Sequence, residues 1–126
     1  MNRLYCSHCI FPCPDIEKTA EFYVTKMGFE AVPYLNAAEP HICLYRDKTE
    51  IILTKANREK AFPNRELYGY GYDAHFITDT QKELQDELSQ KGVKIARLLT
   101  KTDYHNQEFV IEDIDGRWTA FGLKED

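Results

Sequence analysis

Imidazole, thiolate and carboxylate groups that fall close together are the first places to look for chemistry, because they ligate metals and move protons. His8 stands among Cys6, Cys9 and Cys13, the densest group of soft donors in the chain. In an extended strand Cys6 and His8 project to one face and Cys9 to the other, so one tetrahedral zinc would need a bent strand. Pocket lining is therefore the favoured role for His8, and Cys9 and Cys43 read as small buried hydrophobes. Asp73 and His75 form a second pair on one strand face, available either to each other or to a site. Tyr104-His105-Asn106 sits in a loop just before a strand and has a chance of touching a ligand. Trp118 shares a strand face with Ala120 and is either core or a platform for an aromatic or cationic ligand. Glu108 and Glu112 read as solvated or strand-pairing charges, and Tyr68, Tyr70 and Tyr72 as a pocket rim or a linker packed on a partner.

The elements that carry these residues can be read from periodicity. Leu4 to Phe11 is a strand, ended by Pro12 and Pro14, which have no N–H to give a ladder. Asp15 suits an N-cap, and Ile16, Ala20, Tyr23 and Met27 then recur as one helical stripe before Gly28. Phe29 to Leu35, Ile42 to Arg46 and Glu50 to Thr54 are three short strands, with Asp47-Lys48 as a hairpin turn. The charged stretch Ala56 to Gly71 is the linker. The same order then repeats: a strand at Tyr72 to Thr78, a helix from Thr80 to Lys91, and strands at Lys94 to Leu98, Gln107 to Glu112 and Arg117 to Gly122. Thr80-Gln81-Lys82-Glu83 has the pattern of a capping box, and Leu84 and Leu88 form the buried stripe. Asp15 and Thr80 lie 65 positions apart and Gly28 and Gly92 lie 64 apart, the spacing of a duplicated supersecondary unit. Residues 1–126 are thus one domain of two repeats, 3–55 and 72–124, joined by 56–71.

The chain's 126 residues, 43% of them hydrophobic, suit a single compact domain. Sixteen Lys and Arg against 21 Asp and Glu give a net charge of −5 with no basic tract, which argues against nucleic acid. No apolar run approaches the roughly 20 residues of a membrane span, and the N-terminus lacks a secretory pattern. The expected setting is the cytoplasm, with no membrane partner and reduced thiols.

Three stretches in order carry a resemblance to a known family. Asp15 to Tyr23 followed by Gly28-Phe29, then Ile42 to Leu53, then Gln107 to Gly122 with its Asp113-Ile114-Asp115-Gly116 turn resemble the vicinal oxygen chelate superfamily of glyoxalase I, bleomycin-resistance proteins and extradiol dioxygenases. The resemblance implies an α+β fold of tandem βαβββ modules whose curved mixed sheets form a cleft, commonly completed by homodimerisation. Metal-dependent members of the family carry one ligand on each of four strands, and those positions here are His8, Ile52, Asp73 and Ala120. Ile52 and Ala120 cannot ligate, so the resemblance implies a binder with no metal, no cofactor and no catalytic residue. Arg46-Asp47, Pro63-Asn64, Gln107-Glu108-Phe109 and Phe121-Gly122 look most like the bleomycin-resistance members. The implied function is sequestration of a small aromatic or cationic compound by His8, Ile52, Asp73, His75, Tyr104, Trp118 and Ala120. The alternative is a metal-dependent lyase, isomerase or dioxygenase with a rearranged site.

Overall fold

The computed structural model describes residues 2–125. Its elements run β1 (Cys9–Cys13), α1 (Ile16–Thr25), β2 (Glu30–Tyr34), β3 (His41–Arg46), β4 (Thr49–Lys55), α2 (Asn64–Tyr68), β5 (Ala74–Ile77), α3 (Gln81–Gln90), β6 (Lys94–Lys101), β7 (Asn106–Glu112) and β8 (Trp118–Lys124). They form two four-stranded mixed sheets, ordered β1-β4-β3-β2 and β5-β8-β7-β6. The first strand of each module pairs parallel with the last, while the others pair antiparallel, so the second module repeats the first. Each sheet is open, with two unpaired edges.

Two local expectations are corrected, and the linker holds a short helix that the sequence reading did not name. The first strand begins at Cys9 rather than Leu4 and runs through Pro12, which is tolerated because β1 is an edge strand paired on one side only. Within the linker, Asn64–Tyr68 forms a short helix closed by Gly69 at φ +91°, a left-handed position that suits glycine. Thr80 makes no side-chain cap to α3; its hydroxyl lies 3.1 Å from that of Thr78, which also accepts the Thr80 N–H. On α1 the expected cap is made, with Asp15 accepting from the Lys18 N–H at 3.1 Å.

Alternation along the strands sends Ile42, Leu44, Ile51 and Leu53 of the first sheet, and Phe109, Ile111 and Phe121 of the second, into one core with Tyr23, Met27 and Leu88. Polar ties then fix the modules to each other at both ends. The buried Tyr23 hydroxyl donates to Asp113 at 2.7 Å, and Thr19 donates to Asp115 at 2.6 Å. Arg117 bridges both carboxylates at 3.0 and 2.9 Å and reaches the carbonyl of Pro12 on β1. Asp113 also accepts the N–H groups of Asp115 and Arg117, so one carboxylate shapes the β7–β8 turn and docks α1 on it. At the other end Arg46 forks onto Glu87 of α3 at 2.9 and 3.1 Å and donates to the Met27 carbonyl at 2.8 Å.

Candidate functional site

With Phe109, Ile111 and Phe121 turned to the core, the opposite face of the second sheet is built from Glu108, Val110 and Glu112 on β7, Trp118, Ala120 and Gly122 on β8, and His75 on β5. The pairing sets His75 beside Ala120 and Ala120 beside Val110, with Arg97 of β6 opposite Val110.

Glu108 is the organising group of this face and is only 2% exposed. One of its oxygens accepts from the hydroxyls of Tyr72 at 2.9 Å and Tyr104 at 2.8 Å. The other accepts from the Asn106 amide at 3.1 Å and lies 3.4 Å from His75 Nε2. Burial pushes this carboxyl up, but the bonds donated by Tyr104, Asn106 and Tyr72 outweigh burial and hold it below the ordinary range. Burial first, then the bonds to Tyr72 and Glu108, push the Tyr104 phenol well up, so it remains a donor. Gly122 makes room for this arrangement: a Cβ there would stand 2.5 Å from the Glu108 Cβ and from the Gln107 carbonyl.

Trp118 stands beside this cluster. Its indole N–H donates to Glu112 at 3.0 Å, and Glu112 also accepts from Arg65 of α2 at 3.2 Å and Lys94 at 3.4 Å. Burial pushes Glu112 up, and the Trp118 and Lys94 bonds carry it down past its ordinary value. Guanidinium carbons of Arg65 and Arg97 lie 4.7 and 5.1 Å from the Trp118 ring centroid. Arg97 donates to the Tyr72 hydroxyl at 3.1 Å and, among the described residues, has no carboxylate partner. Together α2, the Gly69–Tyr72 turn, Arg97, Tyr104 and Trp118 border an open pocket of about 770 Å³, a volume in the range of small-molecule sites.

The residues singled out in the sequence fall on two separate surfaces. His75, Tyr104, Trp118 and Ala120 lie on the second sheet's face, where Trp118 is a half-buried pocket wall rather than core. Asp73 borders it but its oxygens accept the Asn64 and Trp118 N–H groups at 3.1 and 3.3 Å, so it ties α2 to β8 and does not pair with His75. Ile52 lies on the first sheet, and His8 stands immediately before its strand β1. There His8 Nε2 sits 3.2 Å from Glu50 and 3.9 Å from Cys6, while Ile52 pairs between Ile10 and Cys43. Glu108, read from sequence as a solvated or strand-pairing charge, is buried and fully bonded; it alternates with Phe109, and its period-two match to Trp118 and Ala120 was the available signal. Arg65, Arg97 and Glu50 reach their places through long-range pairing and left no local signal.

A divalent ion does not fit the four positions, His8, Ile52, Asp73 and Ala120, that match those of metal-dependent members. Ile52 and Ala120 have no donor atoms, and Asp73 is occupied by backbone N–H groups. Among the described residues no three His, Cys, Asp or Glu side chains converge as a cage.

Residues 6–121 match the sequence profile of the Glyoxalase/Bleomycin resistance protein/Dioxygenase superfamily, and the chain belongs to that superfamily. Solved structures share the fold at low identity. A superfamily member from Sphaerobacter thermophilus DSM 20745 is 20% identical with a TM-score of 0.73, covering 98% of each chain. UcmS2 is also 20% identical with a TM-score of 0.73, covering 96% of this chain and 98% of its own. FosX of Listeria monocytogenes, a fosfomycin resistance protein, is 14% identical with a TM-score of 0.68, covering 96% and 91%. A search of curated proteins found no significant match.

Proposed function

We propose that this chain is a small-molecule binding protein whose second-module pocket holds an organic ligand without a metal ion. The observation that carries the reading is the pocket itself: Tyr70, Tyr72, Tyr104 and Trp118 supply aromatic wall, and buried Glu108 holds Tyr72 and Tyr104 in place before any ligand arrives. Glu108 is 2% exposed and already accepts from three protein donors, which suits a role in holding the wall rather than in taking a substrate proton. The ligand class expected from the sequence was aromatic or cationic; the aromatic part suits this wall.

Two further features belong to the same reading. The outer face of the first sheet exposes Ile10, Val32, Tyr34 and Tyr45, at 62%, 39%, 48% and 39%, an apolar surface suited to a second copy of the chain. Four free cysteines suit a reducing compartment, which supports work in the cytoplasm. No helix among the described residues is long and apolar enough to cross a membrane.

The rival reading, an enzyme with a rearranged metal site, draws on His8 and Glu50, two donors 3.2 Å apart at the first sheet. The test that separates the two follows the fluorescence of Trp118, the chain's single tryptophan, against a panel of aromatic fragments. The binder reading expects saturable quenching that weakens about fivefold or more in Tyr104→Ala and is unchanged in His8→Ala. Quenching lost in His8→Ala but kept in Tyr104→Ala would overturn it.

A further inference from the structure

The carboxylates at the second-module pocket already have partners: Glu66, the one in its wall, lies 3.7 Å from Arg65, and Glu108 and Glu112 stand behind Tyr72, Tyr104 and Trp118. Glu108 is bonded by Tyr72, Tyr104 and Asn106, and Glu112 by Trp118, Arg65 and Lys94. The positive groups are not answered to the same degree. Arg97 gives one bond, to the neutral Tyr72 hydroxyl, and among the described residues meets no carboxylate. Its guanidinium lies beside Trp118, where that of Arg65 also lies. A cationic ligand stacking on Trp118 would therefore displace or confront like charge, whereas a planar anion would complete the set.

Resting on the binding reading above, we infer that the ligand is a planar aromatic carrying a carboxylate, its ring against the Tyr70, Tyr72, Tyr104 and Trp118 wall and its oxyanion on Arg97. The guanidinium is planar and presents parallel N–H donors, which match a carboxylate two bonds at a time. Arg97 is well suited to this role because it projects from exposed β6 and keeps donors unused after the Tyr72 bond. Arg65 is spent on Glu112 at 3.2 Å and Glu66 at 3.7 Å, which leaves Arg97 as the free anion-binding group. The anion preference departs from the cationic ligand that the family resemblance implies: the charged residues of the pocket wall, Arg65 and Arg97 against Glu66, sum to a positive value although the whole chain is acidic.

The test uses three probes of one shape: 4-nitrobenzoate, the neutral 4-nitrobenzamide and the cationic 4-nitrobenzylamine, each titrated against Trp118 fluorescence in the full chain. The expected result is 4-nitrobenzoate binding about tenfold or more tighter than the amide, with that advantage removed in Arg97→Leu and partly retained in Arg97→Lys. Equal binding of acid and amide, tighter binding of the amine, or an acid preference that survives Arg97→Leu unchanged would overturn the carboxylate assignment while leaving the pocket as a ligand site. Absence of saturable quenching by all three would overturn the assignment and the binding reading together. Arg97 is exposed and sits on an edge strand, so these variants keep the fold, and circular dichroism checks that they do.

Discussion

Glu108 concentrates the logic of the site in one side chain. A carboxylate 2% exposed, in contact with two tyrosine hydroxyls, an amide and an imidazole, stays ionised because donors replace the water it lost. Glu108→Gln turns one acceptor into a donor facing hydroxyls that already donate, and is expected to cost about 1–3 kcal/mol in urea denaturation. The pH dependence has a definite sign. Because the folded carboxyl is held below its ordinary value, its contribution is complete above the ordinary carboxylate range and is lost as pH falls through the lowered folded value. Wild type should therefore lose more stability than Glu108→Gln between about pH 7 and about pH 3, and equal losses would show that Glu108 is not the ionised hub.

At the scale of elements, the β7–β8 hairpin does two jobs: its outer face carries the pocket and its turn locks α1. The guanidinium of Arg117 is buried between Asp113, Asp115 and the Pro12 carbonyl; burial alone would lower it, and the carboxylates keep it protonated. Arg117→Ala leaves the Asp113 carboxylate buried without its partner and is expected to cost about 3–5 kcal/mol, read as a lowered thermal midpoint. Gly122→Ala would drive a methyl against the Glu108 Cβ and is expected to cost about 1–3 kcal/mol and to weaken ligand binding with it. Apart from α2 and the bounds of β1, the elements were legible in the sequence, because alternation along strands, the Ile16-Ala20-Tyr23-Met27 stripe and the Gly28 and Gly92 exits are local signals of burial and chain reversal. So was the shared face of Trp118 and Ala120, since strand period two puts them together. What stayed hidden depends on register and on contacts distant in sequence. Arg65 meets Trp118 only because a helix folds within the linker, and Glu50 meets His8 only because β1 pairs parallel with β4.

The whole molecule presents two unlike faces on one scaffold. The second sheet's outer face is roofed by α2 and holds the polar-edged pocket, while the first sheet's outer face is open and apolar around Ile10, Ile52, Cys43 and Val32. A second copy is expected to cover that open face. Ile10→Glu and Val32→Glu together should halve the mass measured by light scattering without unfolding the chain, because both positions are exposed in a single copy. An unchanged mass would place any association elsewhere.

The central claim is that the pocket binds its ligand without a metal ion. Its most direct test is a titration of Trp118 fluorescence with 4-nitrobenzoate in protein stripped by chelator, repeated after adding zinc, manganese, nickel or iron. The account predicts the same saturable curve in every case. Binding that appears only when a divalent ion is restored, and vanishes in His8→Ala, would contradict it.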